Sequence, residues 1–132
     1  MTLVDSSVWI SFFRRPGHPD NESLRALIRD DDVAITEPVA MELLMGPTDE
    51  LAVRRIERLV SSTPPLPIEP RVDFDHAAAL FRTVRRSGRT VRSKVDCLIA
   101  AIAIRHDVPL LHRDADFEVI ADVSELRQLS LL

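Results

Sequence analysis

Apolar runs of two lengths alternate along this chain. Short runs rich in Val, Ile and Leu predict strands, and longer stretches with apolar residues at helical spacing lie between them. The alternation is typical of an α/β fold, with helices flanking a central, mainly parallel sheet of four to five short strands. The predicted strands are TLVD (2–5), VAIT (33–36), a short segment at 66–68, and VPLLHRD (108–114).

Residues that favour helix N-caps precede most of the predicted helices. Ser, Thr, Asp and Asn are common at this position because their side chains accept hydrogen bonds from the first free N–H groups. The stretch DCLIAAIAIRH (96–106) is apolar nearly all round, which predicts a central, buried helix. The candidate caps elsewhere are Ser6 or Ser7, Asn21, Thr36 or Glu37, Thr48 and Asp73.

Length and composition favour one globular domain. The 132 residues suffice for a hydrophobic core but not for two ordinary domains, so we expect a single domain over 1–132. No apolar run approaches the roughly 20 residues of a membrane span, and Asp5 interrupts the N-terminal apolar stretch before a signal-peptide core forms. The single cysteine, Cys97, excludes an internal disulfide and a multi-cysteine zinc site. We therefore expect a cytoplasmic protein.

The charge is unevenly distributed. The net charge of −4, from 17 basic and 21 acidic residues, does not by itself indicate nucleic-acid binding. However, six basic residues and no acid occur within RTVRRSGRTVRSK (82–94). This basic run leads directly to Asp96, so its side chains are candidates to hold phosphates. An alternative is that they only solvate a helix end and complement its dipole.

Five acidic residues are predicted to lie at one edge of the sheet. Asp5 ends the first strand, Asp114 ends the strand VPLLHRD, and Asp116 follows two residues later. Asp96 begins the buried helix, and Glu42 lies one turn into the helix that follows the second strand. Ligands of open α/β sheets bind at the carboxyl ends of the strands, where these residues converge.

Each acid alone has a structural explanation, as a helix cap, a turn residue or a solvated helix residue. Together they cannot all be bare anions, because neighbouring carboxylates raise each other's pKa, and a hard divalent cation resolves this repulsion. Mg²⁺ or Mn²⁺ is favoured, since both prefer oxygen ligands and the chain lacks a His and Cys set with zinc spacing. One or two such ions can activate water for attack on a phosphodiester.

These motifs resemble those of the PIN-domain ribonucleases and, within them, the VapC toxins of bacterial toxin–antitoxin pairs. The resemblance covers the whole chain and implies a three-layer PIN-like fold. It rests on VDSSVWI, EPVAMELLMG, RSKVDCLIAAIAIRH and HRDADF. By this resemblance the catalytic acids are Asp5, Glu42, Asp96, Asp114 and Asp116, with Ser7 as a supporting hydroxyl. All of these acids except Glu42 are assigned to metal.

The resemblance also implies the activity and the partners. It predicts a toxic, Mg²⁺- or Mn²⁺-dependent endoribonuclease that cleaves structured RNA such as tRNA or rRNA, forms a homodimer, and is neutralised by a cognate VapB-like antitoxin. Asp114 is assigned the firmer metal role because it directly ends the predicted strand. The candidate RNA-binding residues lie in the basic run and are Arg85, Arg86, Arg89, Arg92 and Lys94.

Other interpretations of the same residues are open. A catalytically inactive PIN-type RNA-binding or interaction module would share the fold. Phosphotransfer and dehalogenase folds place a second Asp near the first, where Ser6 and Ser7 stand here, and metal-dependent adhesion sites need a Ser where Trp9 stands. His112 is either a proton donor beside the acidic turn or, as we favour, a packed and hydrogen-bonded residue.

Overall fold

Seven α-helices and four parallel strands form the structure, a computed structural model that describes residues 1–132. A 3₁₀ turn, Pro19–Asn21, precedes α2. The strands are β1 (Thr2–Val4), β2 (Val33–Ala34), β3 (Leu110–His112) and β4 (Gln128–Ser130). The helices are α1 (Ser6–Arg14), α2 (Glu22–Arg29), α3 (Glu37–Met45), α4 (Glu50–Ser62), α5 (Pro70–Arg86), α6 (Lys94–Arg105) and α7 (Ala115–Asp122).

The sheet has the strand order β2-β1-β3-β4, and all its pairs are parallel. Leu3 pairs with Leu110 and Val4 with Leu111, so β1 and β3 end side by side. The chain leaves β1 toward β2 on one side and leaves β3 toward β4 on the other. Because parallel crossovers are right-handed, these connections place helices on opposite faces of the sheet and make the β1/β3 boundary a topological switch point.

The hydrophobic core surrounds α6 and the central strands. Ile99, Ala100, Ala101, Ile102 and Ala103 are all buried, which confirms the central helix expected from its apolar sequence. The α/β fold with helices flanking a parallel sheet is likewise confirmed. Although α6 is strongly apolar, neither it nor any other helix is both long and apolar enough to cross a membrane.

Several predicted element boundaries are wrong by a few residues. The N-cap of α1 is Asp5 rather than Ser6 or Ser7, and the N-cap of α4 is Asp49 rather than Thr48. In both cases the aspartate accepts a backbone N–H two residues ahead. The expected strand at 66–68 is absent, since only one isolated bridge, between Ile35 and Pro65, forms there.

Asp73 has a different role from the predicted helix cap. Helix α5 begins at Pro70 with Glu69 as its cap, so Asp73 lies inside the helix and is fully buried. Its carboxylate accepts hydrogen bonds from the Glu69 N–H, at 2.7 Å, and from Arg105 Nε, at 2.8 Å. Burial by itself raises the pKa of Asp73, but these hydrogen bonds outweigh it and the pKa lies below its usual value. The pair joins the start of α5 to the end of α6.

Replacing Asp73 with Ala should lower the free energy of unfolding by about 2–4 kcal/mol, because the buried pair loses its acceptor. Urea denaturation of the two proteins measures this difference. Asp75→Ala, an exposed position on the same helix, is the matched control and should stay within about 0.5 kcal/mol of the wild type. Equal effects of the two substitutions would contradict the role assigned to Asp73.

Candidate active site

The ends of β1 and β3 are tied together beside Asp5. The Asp5 N–H donates to the Leu111 carbonyl across the strands, at 2.9 Å. The Ser7 hydroxyl donates to Asp5 Oδ2, at 2.5 Å, and its oxygen accepts the Arg113 N–H at 3.0 Å. Ser7 therefore links the residue that follows β1 to the residue that follows β3, and it holds the Asp5 carboxylate in one orientation.

Three of the predicted acids form a tight group. One carboxylate oxygen from each of Asp96, Asp114 and Asp116 lies within 4.8 Å of the other two. Asp96 is in the first turn of α6, after the cap Ser93, and Asp114 is the N-cap of α7. Asp5 lies outside this group, but its charge adds to the effects of burial and of Asp114, which raise the pKa of Asp96. The structure thus brings four of the five predicted acids to the switch point.

Asp5, Asp114 and Asp116 each use one carboxylate oxygen to accept hydrogen bonds from the chain, and the second oxygen of Asp116 faces Arg92 Nε at 3.7 Å. Asp5 Oδ2 accepts from Ser7 and Asp114 Oδ1 accepts the Asp116 N–H, at 2.9 Å. Asp116 Oδ2 accepts two backbone N–H groups, those of Arg92 and Ser93, both at 3.0 Å. Because each carboxylate is anchored through one oxygen, the other is available in a defined position.

Two carboxylate oxygens in the site are buried without a partner. They are Asp5 Oδ1 and Asp96 Oδ2. An unpaired buried carboxylate oxygen is costly unless it coordinates a cation or takes up a proton. The donor set is made of hard oxygens alone, which fits Mg²⁺ or Mn²⁺ rather than a thiolate- or imidazole-binding metal.

The electrostatics of the site favour protonation when no cation is bound. Burial, with the charges of Asp114 and Asp5, raises the pKa of Asp96 to about 9. Burial also raises the pKa of Asp5 above its ordinary value, in spite of the hydrogen bonds from Ser7. Both pKa values are raised because several carboxylates are buried close to one another, and a bound divalent cation would lower them.

Glu42 lies at the edge of this cluster and is held by a hydroxyl. Ser6 Oγ donates to Glu42 Oε1 at 3.1 Å, which connects α1 to α3. Burial, together with the charge of Asp5, raises the pKa of Glu42. The sequence predicts Ser6 as a helix cap and as a partner of the neighbouring Asp5 carboxylate, and it does not predict this contact with Glu42. The signal for it was the pair of hydroxyls that follows Asp5.

The basic run divides between a helix end, a loop and the start of α6. Arg92 has its guanidinium 3.6 Å from Asp114 and 3.7 Å from Asp116, and Arg89 pairs with Asp122 at 2.7 Å. Arg85 lies over the ring of Phe81. The remaining predicted RNA-binding residues, Arg86 and Lys94, are exposed and make no salt bridge. Arg92 therefore brings the end of the basic run next to the acids.

His112 is enclosed rather than open to a substrate. It is the last residue of β3 and has no exposed surface. Both ring nitrogens are engaged, Nδ1 with the Asp114 N–H and Nε2 with Gln128. This environment favours the packed, hydrogen-bonded role over that of a proton donor.

Comparison with known proteins finds a matching family and a similar ribonuclease. The PIN domain family matches residues 2–123. Ribonuclease VapC11 of Mycobacterium tuberculosis is 44% identical over 132 residues, which cover 98% of each chain.

Solved structures with less than 25% identity support the fold. VapBC2 of Rickettsia felis, bound to a promoter DNA fragment, has a TM-score of 0.76 and 15% identity and covers 98% of this chain and 97% of its own. VapC20 of M. tuberculosis, a toxin that cleaves the sarcin–ricin loop, has a TM-score of 0.67 and 21% identity, covering 96% and 99%.

The raised pKa of Asp96 predicts that the metal-free protein loses stability as the pH rises. The folded state holds this proton up to about pH 9, whereas an unfolded Asp releases it near 3.9. The contribution of the Asp96 proton to the free energy of unfolding is therefore complete below about pH 4 and lost by about pH 9. In the Asp96→Asn variant the side chain cannot ionise, so its melting temperature should depend less on pH. At pH 8.5 this variant should melt at least about 4 °C above the wild type. Thermal melts in a chelator from pH 5 to 9 measure this. Asp75→Asn should follow the wild type, and parallel curves for Asp96→Asn would contradict the assignment.

Proposed function

Because this chain belongs to the PIN-domain family and, within it, to the VapC ribonucleases, we propose that it is a metal-dependent endoribonuclease that cuts structured RNA such as tRNA or rRNA. We place the activity in a single domain over residues 1–132. The observation that carries the proposal is the cluster of carboxylates at the switch point, whose buried oxygens lack partners. VapC20, a structural relative that cleaves the sarcin–ricin loop, supports a folded RNA as substrate.

The metal would be held by Asp5, Asp96, Asp114 and Asp116. Asp96, Asp114 and Asp116 already present oxygens within 4.8 Å of one another, and Asp5 offers its unpartnered Oδ1. Mg²⁺ or Mn²⁺ bound there supplies activation of water and stabilisation of the leaving oxygen in an in-line displacement at phosphorus. Ser7 serves this site by fixing the Asp5 carboxylate and by joining it to the end of β3.

Glu42 is proposed to handle protons rather than to hold metal. It is not among the three acids of the tight group, and its raised pKa brings it closer to neutral pH, where general acid–base catalysis is effective. Ser6 occupies Oε1, so Oε2 is the oxygen that would accept a proton from the attacking water.

The basic run is proposed to bind the phosphates of the RNA. Arg85, Arg86, Arg89, Arg92 and Lys94 are all exposed and lead to the acidic site. The pair between Arg89 and Asp122 is itself exposed, and such pairs contribute only about 0–1 kcal/mol, so phosphate can replace the carboxylate. Arg92, beside Asp114 and Asp116, would contact the phosphate nearest the cleaved bond.

A VapB-like antitoxin is proposed to silence the enzyme in the cytoplasm. The VapBC2 structure of R. felis supports a partner of this kind. A groove of about 470 Å³ between α1, α3 and α4 has an apolar part formed by Ile10, Phe13, Leu43 and Ile56, and Glu42, Arg14 and Arg55 also line it. An apolar antitoxin segment bound there would contact the acidic site and block the approach of RNA.

A homodimer is proposed to form through the face of α5 and α6. Phe74, Ala77, Phe81 and Leu98 line an apolar groove of about 440 Å³ on this face, and Phe74 is more than half exposed. Exposed aromatic surface of this kind favours association. Arg82 and Lys94 lie at the same groove, so a second copy there would lie next to the basic run.

Purified protein should cleave structured RNA with Mn²⁺ or Mg²⁺ and stop when a chelator is added. Asp5→Asn and Asp96→Asn should each reduce the cleavage rate by at least about 100-fold, since even outer-shell changes at metal sites cost 10–100-fold. Rates on labelled RNA, with thermal melts to verify folding, measure this. Asp75→Asn should cleave at the wild-type rate. Wild-type protein that binds RNA without cutting it would instead support the inactive-module alternative.

Replacing Arg85 and Arg89 together with Ala should weaken RNA binding and reduce the slope of log affinity against log salt by about one to two, because each phosphate contact releases counterions. Titrations at several salt concentrations measure the slope. Arg29→Ala with Arg71→Ala removes the same charge from exposed positions outside the run and should leave the slope unchanged. An unaltered slope in the first variant would limit these arginines to a structural role.

A further inference from the structure

His112 is held rigidly beside the acidic site. It is fully buried at the end of β3, and its ring lies 5.1 Å from that of Phe117, centroid to centroid. Its backbone carbonyl accepts the Leu131 N–H at 2.9 Å. Substrate therefore has no access to the imidazole, and any effect on the site must pass through its neighbours.

The hydrogen bonds of the ring fix its tautomer. The Asp114 N–H, 3.1 Å from Nδ1, can only donate, so Nδ1 is an unprotonated acceptor. The neutral ring then carries its proton on Nε2, which donates to Gln128 Oε1 at 2.5 Å. Gln128, on the edge strand β4, thus selects the form of His112 that can accept from Asp114.

The contact to Asp114 reaches the carboxylates directly. Asp114 is the N-cap of α7, and its Oδ1 accepts the Asp116 N–H. Asp116 in turn is held by the N–H groups before α6. Only Arg113 and Asp114 connect β3 to α7. The hydrogen bond from the Asp114 N–H to His112 therefore constrains the positions of both Asp114 and Asp116.

We propose that His112 is a positioning residue for the metal ligands, acting through its Nδ1 on Asp114 and locked in the required tautomer by Gln128. The inference rests on the proposed function, because it assigns to His112 the orientation of Asp114 and Asp116 toward a divalent cation. Groups that orient metal ligands typically change metal affinity by 10–100-fold when they are removed.

Two substitutions separate this role from simple packing. His112→Asn keeps an acceptor at the place of Nδ1 but loses the bond to Gln128, and His112→Gln keeps a polar atom at the place of Nε2 but loses the acceptor for Asp114. Asn is the smaller residue, so a packing role makes the Asn variant the worse of the two. A positioning role makes the Gln variant the worse.

The measurement is Mn²⁺ affinity of the purified full chain, followed by electron paramagnetic resonance of the free ion, with amide hydrogen exchange at Asp114. The Gln variant should bind Mn²⁺ about tenfold more weakly and exchange the Asp114 amide faster, while the Asn variant stays within about threefold of the wild type. Equal losses, or a greater loss for the Asn variant, would overturn the proposal.

A measurement on the unaltered protein decides the same question if a variant does not fold. The ¹⁵N chemical shifts of the His112 ring should show a protonated Nε2 and an unprotonated Nδ1, and protonation at Nδ1 would overturn the proposal. If the wild type binds no Mn²⁺, the proposed metal site fails, and the ring shifts with the Asp114 exchange still decide whether His112 holds Asp114.

Discussion

Repulsion among carboxylates gathered at one edge of the sheet is the constraint that shapes this site. Because β1 and β3 are parallel neighbours, the residues after them must meet at the same edge. Asp5 and Asp114 are brought there by the strands, and Asp96 by the buried helix α6. Their burial raises the pKa of Asp5 and of Asp96. Without a cation, protonation of Asp96 and strong local anchoring together keep these groups in place.

The anchors are mostly N–H groups at the starts of three helices. Asp5 and Asp114 cap α1 and α7, and Asp116 accepts two N–H groups immediately before α6. The positive ends of the helix dipoles therefore converge on the acids and offset part of their repulsion. Each of these three aspartates uses one oxygen in this way, and the other oxygen remains for a ligand. Structural stability and readiness to bind a cation thus come from the same hydrogen bonds.

The secondary structure was largely predictable, and the wrong helix caps depend on contacts that the local sequence pattern does not specify. Helices such as α6 have an apolar pattern strong enough to identify them whatever their surroundings. The boundaries depend on which of two adjacent polar residues accepts an N–H, so Asp49 rather than Thr48 caps α4. Asp73 favours a cap by residue type, but a partner 32 residues away, Arg105, holds it inside α5. Local patterns contain no information about such a partner.

By itself the sequence determined the residue types of the site, their order along the chain and the parallel α/β fold that brings them together, because strand and helix periodicities are local properties. The tertiary structure decided which oxygens of Asp5 and Asp96 are buried without a partner, how far the pKa of Asp96 is raised, that Ser6 reaches Glu42, and that His112 accepts from Asp114. Burial and the charges of distant residues govern the pKa, and Ser6 and Glu42 are 36 residues apart. Such properties arise only when the folded chain places separate segments in contact.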